Sequence, residues 1–443
     1  VRSDPRNMTN LRKRTTAIQE LAERFAAEAP TLIDALVSDF HFARGAAPRH
    51  VQEALAYLMA WPADDAAAVN EAVRSGQRKG SGAVAILLHE DAPLTSFART
   101  LPAAFLAGAQ QCVVNVPPTA EATRALLDKI CSSLPGVVVQ NDRAGAFLFR
   151  SLTDAYTRTI WAGGAADLMA PLEDLIQDTR SHVVFEGPGN DAIVVGSDAD
   201  IDAAAHATAK LAFRDGGLDP ASPNRVYVPE DLHDAFSDKL CEYAAAYEIA
   251  DYNDASCSIS PMRSEEAREH INDVLDEAED EDAELAVGLD FRNFEGQEQP
   301  TLYATVVTGC NPGLRIVTER CHGPVLSVVP YEDDVALFSG LDQSAGPDGQ
   351  VGAGVTLIGG EDLREELGRR FTYVFGEEGP YASDAREARL AWGGGPTSWT
   401  FMGGPDGMKR RYGSVDLTYA FSRDALTSRA RWRRRTEEAA AAK

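Results

Sequence analysis

The sequence predicts an α/β protein with a Rossmann-type doubly wound domain and a second α/β domain of catalytic type. Three observations carry that expectation. From Ala83 onward, apolar runs of strand length alternate with amphipathic runs of helical period. Such alternation with short connections builds a mostly parallel sheet covered on both faces. At Val184-Phe185-Glu186-Gly187-Pro188-Gly189-Asn190 a strand runs into a carboxylate and a glycine-rich turn, and a second strand begins at Ala192. Beyond that join the alternation starts afresh. At 443 residues several domains are the natural expectation, and the patterns place them at 1–185, 186–373 and 374–443.

The elements follow in order. Leu11, Ile18, Leu21 and Phe25 fall near one helical face, then Leu32, Leu36, Val37 and Phe40, then Val51, Leu55 and Leu58. Pro62 to Ser81 is polar and reads as a connection. The unbroken apolar run Ala83–Leu88 is a buried strand. Pro93 opens a helix to about Ala109, and Cys112–Val116 is the next strand. Thr119 is the expected N-cap of a helix carrying Ala122, Leu126, Leu127 and Ile130. Gly136–Gln140 and Thr159–Ala162 read as strands, Ala165–Asp178 as a helix, and His182–Glu186 as a strand. In the second unit an acidic cap at Asp198 opens a helix to Phe213. Arg225–Val228 follows as a strand, then helices Asp231–Tyr247 and Glu265–Asp280, then two strands within Gly309–Pro330. Ser414–Phe421 alternates as an edge strand would, and Arg429, Arg431, Arg433, Arg434 and Arg435 make a basic tail.

The formal net charge is -26. So acidic a chain excludes nucleic acid as a partner, because phosphate binding needs clustered Lys and Arg. Positive charge that is mostly Arg suits either a high-salt cytoplasm or a GC-rich genome. The six cysteines, Cys112, Cys131, Cys241, Cys257, Cys310 and Cys321, form no CxxC pair, so reduced thiols in a cytoplasmic protein are expected. No Cys and His spacing suits zinc, so no metal is expected. The charged beginning of the chain does not read as a signal peptide. No apolar run reaches the roughly 20 residues that span a bilayer, so no membrane is expected as a partner.

The join at Glu186, followed by Asp198-Ala199-Asp200-Ile201 and Asn224-Arg225-Val226-Tyr227-Val228, resembles the aldehyde dehydrogenase superfamily. The block Glu319-Arg320-Cys321-His322-Gly323-Pro324-Val325 resembles that family's segment of an acidic pair and an aromatic before Gly-Pro-Val. The resemblance runs from about Leu11 to Leu426. It implies NAD or NADP as cofactor, a general base at Glu186, and a nucleophilic cysteine between Phe213 and Asn224. That segment, Phe-Arg-Asp-Gly-Gly-Leu-Asp-Pro-Ala-Ser-Pro-Asn, contains no cysteine, and Asp219 lies closest to the expected position.

Other family positions are changed as well. Asp91 stands where the family has an oxyanion-site asparagine, and an ionised carboxylate cannot donate a hydrogen bond. Asn115-Val116-Pro117-Pro118 offers no lysine for the adenosine ribose. Gly163-Gly164 replaces the Gly-Ser turn at the pyrophosphate. Arg320 replaces the carboxylate that holds the nicotinamide ribose, and His322 replaces the neighbouring aromatic. The candidate catalytic residues are therefore Glu186, Asp219, Asp91 and His322, and the candidate cofactor-facing residues Gly163, Gly164 and Arg320.

Glu186 is either a general base or a carboxylate paired with an arginine. Cys257 and Cys321 are structural thiols or remote nucleophiles. The expected outcome is a family member that no longer binds NAD(P) or oxidises aldehydes and has a repurposed non-redox or structural role. The alternative is an active oxidoreductase with a non-standard nucleophile. A cleft lined by Asp91, Glu186, Asp219, Arg320 and His322 suits a small polar substrate, and a homodimer or larger homo-oligomer is expected.

Overall fold

The structure is a computed structural model and describes residues 5–74, 82–165, 167–179, 181–345, 351–381, 398–404 and 407–412. Five parallel strands begin the first sheet: β1 (Ala83–Leu87), β2 (Gln111–Asn115), β3 (Val137–Gln140), β4 (Thr157–Gly163) and β5 (His182–Glu186). The second sheet takes β6 (Ala192–Val195), β7 (Arg225–Pro229) and β8 (Glu284–Val287). A two-stranded ribbon, β9 (Phe291–Arg292) and β10 (Thr301–Leu302), stands apart. The second sheet is completed by β11 (Thr305–Thr308), β12 (Val325–Tyr331), β13 (Gly352–Ile358) and β14 (Phe371–Phe375). The chain then returns as β15 (Trp399–Gly404) and β16 (Gly407–Tyr412), and β15 pairs antiparallel with β5.

The first sheet has the order β16-β15-β5-β4-β1-β2-β3 and the second β14-β13-β6-β7-β12-β11-β8. In the first, the order reverses at β1 and β4, so a crevice opens beyond their carboxyl ends. Apolar packing fixes the layers around it. β1 is buried throughout because helices cover both faces. Phe25 stacks on Phe97 with centroids 6.4 Å apart, and the buried Trp61 donates from Nε1 to Ala98 O at 2.9 Å. Each such aromatic contributes roughly 2–3 kcal/mol by burial.

Several elements differ from the sequence expectation. The helix Ala47–Arg74 runs on through Pro62, so the expected connection there is largely helical. Thr119 does not cap its helix, which spans Glu121–Cys131 with Ala120 at the N-cap. Asp39, from a neighbouring helix, accepts the Thr123 N–H at 2.7 Å instead. The N-cap of the helix Ile201–Ala212 is Asp200, whose side chain accepts from Ala203 N, while Asp198 accepts from Gly360 N at 2.6 Å. The helix expected from Ala165 is reduced to a 3-10 turn at Ala170–Leu172 and a short helix at Glu173–Asp178. The helix Ala144–Thr153 was not anticipated. Ser414–Phe421 and the basic tail lie outside the described residues. No helix among the described residues is long and apolar enough to cross a membrane.

Candidate active site

The crevice at the sheet switch point is a cleft of about 670 Å³. Residues just beyond β1, β2, β3, β4 and β5 line one side, and Arg263, Glu319, Arg320 and His322 face them from the second unit. Asp91 anchors the polar part. Its Oδ1 accepts Arg263 Nε at 2.7 Å, and its Oδ2 lies 2.8 Å from His322 Nε2. Burial opposes the Asp91 charge, but His322 and Arg263 more than offset it and hold the carboxyl well below its usual range. The Asp91 N–H donates to His89 Nδ1 at 3.2 Å, which leaves the His89 proton on Nε2. Burial pushes the His89 pKa down to about 4, so this imidazole stays neutral.

Glu186 ends β5 facing a different space. Arg99 reaches it with Nη2 to Oε1 at 3.2 Å and Nη1 to Oε2 at 3.4 Å, and Trp161 Nε1 donates to Oε1 at 3.0 Å. Arg99 and Glu186 are 7% and 6% exposed, so the fork is sealed from water. With Asp219 and Tyr57 they line a cavity of about 40 Å³, which holds a few waters at most.

The segment at the expected nucleophile position is folded tightly. Asp215, Gly216 and Gly217 have φ of 54°, 70° and 67°, a left-handed run that L side chains resist. A Cβ on Gly217 would lie 2.2 Å from Gly323 O. Asp215 is fully enclosed, bonded to Arg49 and 2.9 Å from His50 Nε2. Burial raises its pKa, but His50 and Arg49 win and hold it well below the usual carboxylate range. Asp219 accepts Ala221 N at 2.9 Å through Oδ1, a turn-closing role. Arg320 then clamps the segment. Its Nη1 donates to Ser222 O at 2.7 Å and Gly189 O at 3.1 Å, and its Nη2 to Asp219 O at 2.7 Å and Gly217 O at 2.9 Å.

The structure thus brings Asp91 and His322 together in the large cleft and sets Glu186 and Asp219 beside the small cavity. Gly163 and Gly164 line the large cleft. Arg320 lines it too, but its guanidinium is directed at the backbone. No cysteine lines either cavity among the described residues. Cys321 is fully buried with its thiol pushed up to about 12 by burial. Cys257 is also raised by burial, and its Sγ donates to Ala250 O and Ile259 O. Both have the character of structural thiols. No group of three or more His, Cys, Asp or Glu among the described residues is placed to hold a metal ion.

Sequence reasoning missed Arg99, Arg263 and His89. Arg99 left a signal, as the sole charged residue in the helix Pro93–Ala107. Arg263 left none, because it meets Asp91 from 172 positions away.

The cleft has room for a dinucleotide, but its groups do not fit one. Asn115, at the adenosine end, turns its amide to Val116 O at 3.1 Å and Asp142 O at 2.9 Å. The Gly164 N–H, which a pyrophosphate would need, donates to Glu186 O at 3.2 Å. Among the described residues that follow, the first α-helix starts at Glu173, after a 3-10 turn at Ala170–Leu172. Glu90, Asp142 and Glu319 add carboxylates to the wall.

Residues 5–342 match the model of the aldehyde dehydrogenase family. The chain is similar to a probable NADP(+) succinate-semialdehyde dehydrogenase of Sinorhizobium fredii, 26% identical over 306 residues, covering 65% of this chain and 61% of that protein. It is also similar to 2-hydroxymuconic semialdehyde dehydrogenase of Pseudomonas putida, 28% identical over 296 residues, covering 63% and 58%. The chain therefore spans about three fifths of the length of these curated relatives. Among solved structures, an NAD-dependent aldehyde dehydrogenase from Sinorhizobium meliloti superposes with a TM-score of 0.73 at 18% identity, over 91% of this chain and 82% of that one. A betaine aldehyde dehydrogenase variant from Staphylococcus aureus, in complex with NAD+, gives 0.72 at 14% identity, over 83% and 77%.

Proposed function

Because the chain belongs to the aldehyde dehydrogenase family yet lacks the family's thiol, we propose that it has left NAD(P)-dependent aldehyde oxidation for a non-redox role on a small polar molecule. The observation that carries this reading is the segment Asp215 to Ser222. Aldehyde oxidation through a covalent adduct needs a nucleophile free to attack and to leave. Here the position is held by a buried turn that Arg320 pins through the carbonyl oxygens of Gly217, Asp219 and Ser222, tying it also to Gly189 O.

Two further features support it. The base candidate, Glu186, is gripped by both Arg99 and Trp161, so its lone pairs already have donors. The cavity beside it is too small for an aldehyde chain. The retained opening is the larger cleft around Asp91 and His322, a largely apolar wall in which Asp91, Arg263 and His322 give a polar ligand its partners.

A second reading, an active oxidoreductase with Asp219 as nucleophile, draws on the place of that carboxylate in the small cavity with Glu186. One assay separates the two. The protein is incubated with NAD+ or NADP+ and with succinate semialdehyde, betaine aldehyde or propanal, and reduced nicotinamide is followed by absorbance. No rate above the protein-free control is expected. A robust rate in the wild type that Asp219→Asn abolishes would establish the second reading.

A further inference from the structure

We propose that Asp91 and His322 form an acid–base dyad that removes a proton from carbon next to the carbonyl of a small polar hydroxyketone, an enolisation. This rests on the non-redox reading of the cleft. His322 donates Nε2–H to Asp91 Oδ2 at 2.8 Å. That bond fixes the tautomer and leaves the Nδ1 lone pair without a protein partner among the described residues. The imidazole is about one-third exposed, and it lines the cleft. Asp91 is in turn held by Arg263, so it orients the ring without itself becoming the base.

The same wall supplies what an enolate needs. His89 Nε2 and Arg263 Nη2 are N–H donors with no acceptor, covered by protein, in residues that line the cleft with His322, so a substrate oxygen meets them only as these side chains turn outward on binding. Buried donors without acceptors are costly, so a native protein that keeps two of them beside one carboxylate asks for an explanation. A carbonyl oxygen is an acceptor of the right kind. Shielding from water is also the setting in which a hydrogen bond to developing negative charge counts most. His89 suits this because burial keeps it neutral, so that it donates as imidazole and does not surrender its proton outright.

The step balances without a co-reactant. The C–H proton passes to His322 Nδ1, the C–H electron pair becomes the C=C bond, and the carbonyl π pair moves to oxygen, which takes its hydrogen bonds from these donors. Return of a proton to the same carbon regenerates the ketone; return to the neighbouring carbon, with the hydroxyl proton passing to the enolate oxygen and its O–H pair becoming the new C=O bond, gives the isomeric hydroxyaldehyde. Glu90, Asp142 and Glu319 on the wall accept from substrate hydroxyls and disfavour anions, so a neutral polyhydroxy ketone is the class.

The test is deuterium incorporation into dihydroxyacetone in D2O, read by proton NMR without nicotinamide. Exchange catalysed by the wild type and reduced at least ~100-fold in His322→Gln is expected. Nitrogen-15 shifts of wild-type His322 should show the proton on Nε2 and a bare Nδ1 at neutral pH. Absence of exchange in the wild type, equal exchange in His322→Gln, or the opposite tautomer would each overturn the proposal. Reduced nicotinamide formed in a parallel aldehyde assay, with exchange intact, would overturn the non-redox reading alone. No exchange and no reduced nicotinamide would overturn the dyad alone.

Discussion

Replacing Arg320 with Met removes the clamp on the segment that took the place of the nucleophile loop. The guanidinium makes four hydrogen bonds, to carbonyl oxygens of Gly189, Gly217, Asp219 and Ser222, at 2.7–3.1 Å. A hydrogen bond from a charged donor contributes roughly 1.5–3 kcal/mol, which would sum to about 6–12 kcal/mol if none were replaced. Arg320 borders the open cleft, so water can reach some of the orphaned oxygens. A loss of about 3–5 kcal/mol is therefore expected, from two or so carbonyl oxygens left unsatisfied at roughly 1–3 kcal/mol each. At roughly 2 °C per kcal/mol for a chain this large, Tm should fall by about 6–10 °C. Arg320→Lys keeps the charge but not the planar fork, so it should recover less than half of the loss. Thermal unfolding followed by circular dichroism measures both. A Tm within about 2 °C of wild type for Arg320→Met would refute the clamp and return Arg320 to the cleft as a free cation.

Acid should weaken the fold in two stages. Burial holds the His89 pKa in the folded protein down to about 4, against its ordinary value of 6.5. As pH falls through that window the unfolded chain binds a proton the folded one refuses, so stability falls by about 3 kcal/mol. The depressed carboxyls of Asp91 and Asp215 add stability above the ordinary carboxylate range and lose it only at lower pH. Urea unfolding at successive pH values should show the first stage removed in His89→Asn, and an unchanged slope there would contradict the assignment. Glu186→Gln should cost about 3–5 kcal/mol by stranding Arg99, while a double Met replacement of the pair should cost clearly less. Chemical denaturation of the two variants beside the wild type decides this, and equal losses would mean that the fork does not matter. Thiol titration with an aromatic disulfide should find no fast-reacting cysteine in the native protein, because burial raises Cys112, Cys131, Cys241, Cys257, Cys310 and Cys321 alike. One rapid thiol would reopen the case for a remote nucleophile.

The alternation from Ala83 to Glu186 was legible because fully buried parallel strands leave unbroken apolar runs, as β1 does. Glu186, Asp219, Asp91, His322 and Arg320 were candidates by position, and each lines one of the two cavities. Their partners could not, since Arg99 and Arg263 act through tertiary contacts 87 and 172 residues apart. Periodicity also failed where a competing contact won. Thr119 was a sound cap by type, yet Asp39 reached the free N–H groups first. The segment after Gly164 reads as helical, but the structure turns there before helix resumes at Glu173.

The claim that the cleft has outlived its cofactor is met most directly by calorimetric titration of the protein with NAD+ and with NADP+. Loss of the lysine and of the ribose carboxylate removes two charge-assisted contacts, which should weaken binding by roughly two to four orders of magnitude. No saturable heat is expected from either dinucleotide at concentrations that saturate a working family member. Stoichiometric binding of either one with micromolar affinity would contradict the account.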